Sequence, residues 1–258
     1  MTAVVSIVVT VSGPDTRWHM MNSSATTITA QCTERENDAD RAGDSTASAH
    51  ADSATISEAL LSGSPVIVTG HGNAGLEAQI CFAGESFGAD AAAFLVRHTS
   101  GFVLATVPTN VMTRAGLMLM RPGFERDSGR FCVAVDASSG ITTGISGADR
   151  AHTVGLLADP GARAEHFVRP GHVVPIAVGG AFSAARWSIY DSIWAMSSSA
   201  GLSGVVATAS VVNGIEELDA EFLSAFARRL GIQVVDVSDL GRDHRNFVSA
   251  SASAAQDS

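Results

Sequence analysis

Apolar positions recur at helical spacing in "SATISEALLSG" (53–63), where a Ser or Thr precedes the run and Gly63 stops it, so a helix is predicted there. "PVIVTG" (65–70) has the unbroken apolar character of a short buried strand. "GADAAAFLVRHTSG" predicts a helix ending near Gly101, and "FVLATVP" a second strand. "RFCVAVDA" (130–137) alternates as a strand does, and "ADRAHTVGLLAD" (148–159) returns to helical spacing. Beyond it the pattern predicts a loop at "RPGHVVPI" and an amphipathic helix around 188–200. It closes with a strand at "GVVATASVV", a helix at "LDAEFLSAFARRLG" and a last strand at "IQVVDVSDL". Strands alternating with helices predict one mixed α/β domain over 53–245, without internal repeats.

The flanks break this pattern. Residues 13–52 are rich in Ser, Thr, Asp and Ala with little periodic hydrophobicity, and 1–52 are predicted to be a mostly disordered leader. Residues 246–258 are predicted to be a disordered tail of the same kind. The opening "MTAVVSIVVTVSG" is apolar but too short for a membrane span, and it lacks the basic start of a secretory signal.

Composition narrows the chemistry. The 258 residues carry a formal net charge of −10 without an Arg-rich block, which argues against a nucleic-acid surface. Lysine is absent and all 16 basic residues are arginine, so a lysine Schiff base and a phosphate-binding P-loop are both excluded. Cys32, Cys81 and Cys132 are widely spaced, which supports neither a disulfide framework nor a zinc knuckle and fits a reducing cytoplasm.

The densest chemistry lies in "SSGITTGISGADRAHTV" (138–154). Its small residues let backbone N–H groups converge at a helix start, where partial positive charge favours an anion. Arg150 can add a guanidinium fork and Thr153 a hydroxyl, with Gly144 and Ser146 in the turn itself. Phosphate is the natural ligand of such a turn. The alternative is an ordinary capped helix start in which Arg150 pairs with a carboxylate.

"TTGISGADRAHTV" followed by "RPGHVVPI" resembles the 3,4-dihydroxy-2-butanone-4-phosphate synthase family, which acts on ribulose 5-phosphate in riboflavin synthesis. The likeness runs from about residue 56 to 242 and takes in "LLSGSPVIV", "RHTSG", "VDASSGITTGIS" and the closing "DVSDL". It implies a three-layer mixed-sheet α/β fold, a homodimer with sites at the subunit interface, and phosphate held by Arg150 and Thr153. Arg186 matches a family arginine near the substrate. His172, in the loop the family uses at its active site, is a candidate acid or base; its alternative is a histidine bonded to backbone.

The family's acidic loop, with a glutamate that binds magnesium, is not reproduced. Counting without gaps places Ala74, Gly75, Leu76, Glu77 and Gln79 at the family's Arg, metal-binding Glu, Asn, second Glu and Asp. Ile189 stands at the second metal ligand, a histidine, with Asp191 at the neighbouring glutamate. Leu104 takes the place of a cysteine and Thr208 that of a further glutamate. Gly75 and Ile189 offer no oxygen to a hard cation, so the reading predicts no metal and no cofactor. Glu77 and Asp191 remain as candidate catalytic acids beside His172, and His71 and Asn73 as new polar groups in the altered loop. Arg97 and His98 end a helix, where cations are favourable in any protein. "ERENDADRAGD" (34–44) holds Arg35-Glu36-Asn37, a near copy of the missing loop, but in the leader, where a solvated charge run is the plainer reading. Two functions stay open: lyase-type chemistry on ribulose 5-phosphate or a related sugar phosphate, and a non-catalytic sugar-phosphate-binding homologue or dimer partner.

Overall fold

The computed structural model describes residues 53–72, 75–121, 130–185 and 187–240. The expected leader (1–52) and tail (246–258) lie outside the described residues, as do Cys32, Glu36, Asn73, Ala74 and Arg186.

Helix α1 (Ser53–Leu61) ends at Gly63, whose φ of +77° is open to glycine. Strands β1 (Val66–Gly72) and β2 (Gly75–Ala83) pair antiparallel from Val66↔Cys81 to Gly72↔Gly75. After α2 (Ala89–His98) come β3 (Leu104–Pro108), the short α3 (Thr109–Arg114) and β4 (Val135–Ala137). Helix α4 (Gly147–Ala158), β5 (Phe167–Val178), α5 (Gly180–Ala185), α6 (Ile189–Ser199) and β6 (Val206–Ser210) follow. Helix α7 (Ala220–Leu230) and β7 (Gln233–Asp236) close the order. Asp219 caps α7 by accepting from the Phe222 N–H at 2.7 Å, and Gly231 ends it in the left-handed region.

The seven strands form one mixed sheet in the order β4-β5-β3-β6-β2-β1-β7, with β1/β7 and β3/β5 parallel and the other pairs antiparallel. Alternation along the strands divides the core. Ile67, Ile80, Ala105, Val107, Val173 and Ala177 pack with Leu95 of α2, Leu157 of α4 and Phe226 of α7. On the opposite face Val66, Val68 and Cys81 meet Ile56 and Leu60 of α1 and Ile193 of α6, while Leu104, Val174 and Ile176 meet Trp194. The result is helices on both sides of a sheet, as the sequence predicted. Each fully buried Leu or Ile contributes about 1.5–3 kcal/mol by leaving water.

Four elements differ from expectation. "RPGHVVPI" is no loop: it lies within the 12-residue β5, since its apolar second half pairs with β3 from Leu104↔Val174 onward. The altered loop is largely strand, because Glu77 to Cys81 continue the hairpin and then pair with β6. In 130–137 only Val135–Ala137 is regular strand, Phe131 and Cys132 making isolated bridges. Helix α6 is buried from Asp191 through Ser197 instead of amphipathic, being sandwiched between α1 and the sheet.

Candidate functional site

The turn between β4 and α4 already holds an anion, and that anion is its own. The Asp149 carboxylate accepts from the Thr142 N–H at 3.1 Å, the Thr142 hydroxyl at 2.7 Å and the Gly144 N–H at 3.0 Å. The Thr142 hydroxyl and the backbone donors overcome the effect of burial and hold this carboxyl down to about 2. Ser146 caps α4 by accepting from the Asp149 N–H at 3.0 Å. Thr153 is fully buried; its hydroxyl accepts from the Ala137 N–H at 3.0 Å and donates to the Asp149 carbonyl at 3.0 Å. The donors expected of Gly144 and Thr153 are therefore engaged within the chain and build the turn.

What remains for a bound anion is the first turn of α4, whose leading N–H groups have no intrahelical acceptor, together with Ser146 and Arg150. Arg150 donates to the Gly101 carbonyl at 3.2 Å, and its Nε is buried without a hydrogen-bond partner. Burial lowers its pKa, so this guanidinium is partly desolvated. No carboxylate lies within ion-pair reach of Arg150 among the described residues, unlike the alternative of a simple carboxylate pair.

Beside this turn stands a pair separated by 36 residues in sequence. His172 Nδ1 lies 2.8 Å from Asp136 Oδ2, and the His172 backbone N–H donates to Asp136 Oδ1 at 2.9 Å. A carboxylate oxygen accepts, so Nδ1 is the donor side of this contact and Nε2 is the ring nitrogen turned away from Asp136. The His172 side chain is 39 % exposed and that of Asp136 is 7 % exposed. Gly144, at φ +85°, permits the close approach: a Cβ there would fall 2.7 Å from His172 Nδ1 and into the Asp136 carboxylate. Asp136 was not singled out from the sequence, although a carboxylate ending an apolar strand just before the turn was a usable signal.

A cleft of about 520 Å³ opens beside β1, β2 and the start of α6. Its walls include His71, Glu77, Gln79, Arg130, Phe131, Ile176, Trp187, Ile189, Tyr190, Ser192 and Ser210. Glu77 lines it, its carboxylate lying across the hairpin against Gly72. Two substituted positions meet here: the Thr208 hydroxyl donates to Gln79 Oε1 at 3.2 Å, and Gln79 Nε2 donates to Ser210 Oγ at 2.9 Å. The Cys81 thiol, 3.5 Å from Thr208, is pushed up to about 12 by burial and is no nucleophile.

Asp191, expected among the catalytic acids, does not line the cleft. It is fully buried and accepts from Arg130 Nη1 at 2.7 Å, from the Ser188 N–H and hydroxyl at 2.8 Å each, from Ser183 Oγ, and from the Gly179 N–H. With its oxygens so engaged it holds structure, and a proton-transfer role does not fit its surroundings. The structure thus brings His172 together with Asp136 and Gly144, and Ser146 with Arg150, while Glu77 stands at the separate cleft.

A mixed sheet with helices on both faces, carrying an aspartate-held histidine beside a capped helix start, defines an α/β protein. The family model for 3,4-dihydroxy-2-butanone 4-phosphate synthase matches residues 54–242, and the chain belongs to that family. Among curated relatives, the riboflavin biosynthesis protein RibBA of Mycobacterium ulcerans (strain Agy99) is 33% identical over 199 residues, covering 74% of this chain and 47% of the relative. That of Salinispora arenicola (strain CNS-205) is 40% identical over 126 residues, 47% of this chain and 30% of the relative. The chain spans about half the length of the first of these and less of the second. Among solved structures, the synthase of Candida albicans aligns with TM-score 0.66 and 25% identity, covering 74% of this chain and 96% of that one. A synthase in complex with two magnesium ions aligns with TM-score 0.64 and 30% identity, covering 72% of this chain and 92% of that one.

The magnesium in that relative overturns the expectation that no cofactor is involved, because a divalent cation is part of what family members bind. The residues described here fit such an ion poorly. Glu77 is the one carboxylate among the described residues lining the cleft, and no group of three or more His, Cys, Asp and Glu side chains among the described residues could hold a metal.

Proposed function

We propose that this chain binds ribulose 5-phosphate or a closely related sugar phosphate and carries out lyase chemistry of its family, within riboflavin synthesis. The observation that carries the reading is the Asp136–His172 pair packed under Gly144, beside the helix start bearing Ser146 and Arg150. The phosphate is held by the first turn of α4, the Ser146 hydroxyl and the Arg150 guanidinium. His172 Nε2 takes a proton from the sugar carbon next to the carbonyl, and Asp136 stabilises the imidazolium that forms. Skeletal rearrangement and loss of formate then leave a four-carbon ketose phosphate, a balance that needs no further reactant.

The protein acts as a homodimer in the cytoplasm in this reading. Phe102 and Ile145 are 56% and 59% exposed, and each is adjacent in sequence to a residue of the turn site, Gly101 or Gly144, which supports a site completed against a second copy. No helix among the described residues is long and apolar enough to cross a membrane. The second reading, a sugar-phosphate-binding homologue or dimer partner without turnover, is favoured by the neutral Gln79–Thr208 pair at positions where the family resemblance expects acids.

His172→Asn and Asp136→Asn, assayed with ribulose 5-phosphate and magnesium present, separate the two. The enzymatic reading expects turnover to fall by about 10²-fold or more with little change in substrate affinity. Binding without turnover in the unmodified protein supports the second reading.

A further inference from the structure

The cleft wall carries two charged side chains, the Glu77 carboxylate on the hairpin and the Arg130 guanidinium, and hydroxyl donors stand with Arg130. This guanidinium is 5% exposed, yet it lines the cleft. Nη1 is held by Asp191 at 2.7 Å and Nη2 by the Phe182 carbonyl at 2.6 Å. Those bonds engage two of the five N–H groups a guanidinium carries and fix the direction of its plane. Two serines supply these hydroxyls. Ser210 Oγ accepts from Gln79 Nε2 and Ser192 Oγ accepts from Trp187 Nε1 at 2.9 Å, so each hydroxyl proton is left for another acceptor. Phe131, Ile176, Trp187 and Tyr190 supply the body of the wall around these donors.

We propose that Arg130 is a ligand-contacting residue of the cleft, that with Ser210 and Ser192 it receives the carbonyl and hydroxyl oxygens of a phosphorylated ketose, and that Asp191 is the positioning residue that aims it. This rests on the sugar-phosphate reading above, in which the site is completed against a second copy, so that the cleft of one copy takes the sugar and the turn of the other takes the phosphate. The N–H and O–H groups of Arg130, Ser210 and Ser192 suit a ligand rich in acceptor oxygens, and a charged donor roughly doubles the strength of such a bond. Asp191 joins Arg130, Ser183 and the start of α6 through one buried carboxylate, so its loss moves the donors without touching ligand.

The test is calorimetric titration of the full chain with two probes, ribulose 5-phosphate and inorganic phosphate, with thermal melting as the fold control. Arg130→Met should weaken ribulose 5-phosphate by roughly ten- to a hundredfold and leave inorganic phosphate unchanged. Arg130→Lys should recover part of the loss, because it restores a charge without the fork. Ser210→Ala, which leaves the buried ion pair intact, should weaken the sugar phosphate about fivefold and is informative even if Arg130→Met does not fold. Asp191→Asn should weaken the sugar phosphate and leave inorganic phosphate unchanged. Unaltered ribulose 5-phosphate affinity in a folded Arg130→Met or in Ser210→Ala, or equal loss of both probes, overturns the assignment alone. If the unmodified protein binds inorganic phosphate and no ribulose 5-phosphate, the sugar-phosphate reading itself fails.

Discussion

Gly144→Ala is the perturbation that presses hardest on the Asp136–His172 pair. The residue sits at φ +85°, where a Cβ is strained whatever the surrounding space, at a cost of about 1–2 kcal/mol. The added carbon would also fall 2.6 Å from Asp136 Cγ and 2.7 Å from His172 Nδ1. The Asp136 carboxylate cannot rotate away freely, because one oxygen accepts from the His172 N–H and the other meets the ring. Displacing a buried carboxylate from such bonds costs about 1.5–3 kcal/mol. The two effects together should lower stability by roughly 3–5 kcal/mol, a large share of the 5–15 kcal/mol typical of a folded domain. Urea unfolding measures this as a fall in the midpoint at constant slope. The NMR shifts of the His172 ring nitrogens read the pair directly, since displacing the carboxylate removes the Nδ1 contact. A variant less than about 1 kcal/mol weaker, with the His172 ring shifts unmoved, would refute the geometry at this turn.

Three further expectations follow from other contacts. Arg150→Ala should weaken phosphate and ribulose 5-phosphate about tenfold or more by calorimetry, and unchanged affinity would reduce the turn to a capped helix start. Asp149, whose carboxyl is held down to about 2, adds stability that is present above the ordinary carboxylate range and lost as pH falls through its folded value; acid unfolding of Asp149→Asn should therefore lack part of the decline seen in the unmodified protein between about pH 4 and 2. Cys81 and Cys132, both pushed up to about 12 by burial, should resist alkylation at pH 8 until denaturant is added, and mass mapping that finds either one modified in the native protein contradicts their placement.

Most of the architecture could be read from local signals. Apolar runs such as "PVIV" and "FVLATVP", and the stops at Gly63 and Gly231, are set by short-range physics and reappear as β1, β3 and the ends of α1 and α7. Strand β2 was hidden because its polar first half resembles a loop, and only pairing with β1 and β6 makes Glu77 and Gln79 strand residues. The candidate site was legible in part. Ser146 and Arg150 were visible as a cap and a cation at a helix start. The use of the Gly144 N–H by the Asp149 carboxylate, the engagement of the Thr153 hydroxyl by Asp149 and Ala137, and the burial of Asp191 against Arg130 depend on partners up to 61 residues away. Asp136 was missed for the same reason: its partner His172 lies 36 residues along the chain, and their meeting depends on the β4–β5 pairing.

In the proposed reaction the Asp136–His172 pair works on a sugar phosphate held at the start of α4. Incubating the unmodified protein with ¹³C-labelled ribulose 5-phosphate and magnesium, and following the mixture by NMR, tests it most directly. Substrate signals should decline while labelled formate and a four-carbon ketose phosphate grow in equal amounts, and His172→Asn should stop both. Substrate left intact by the unmodified protein, or product formed equally well by His172→Asn, would contradict it.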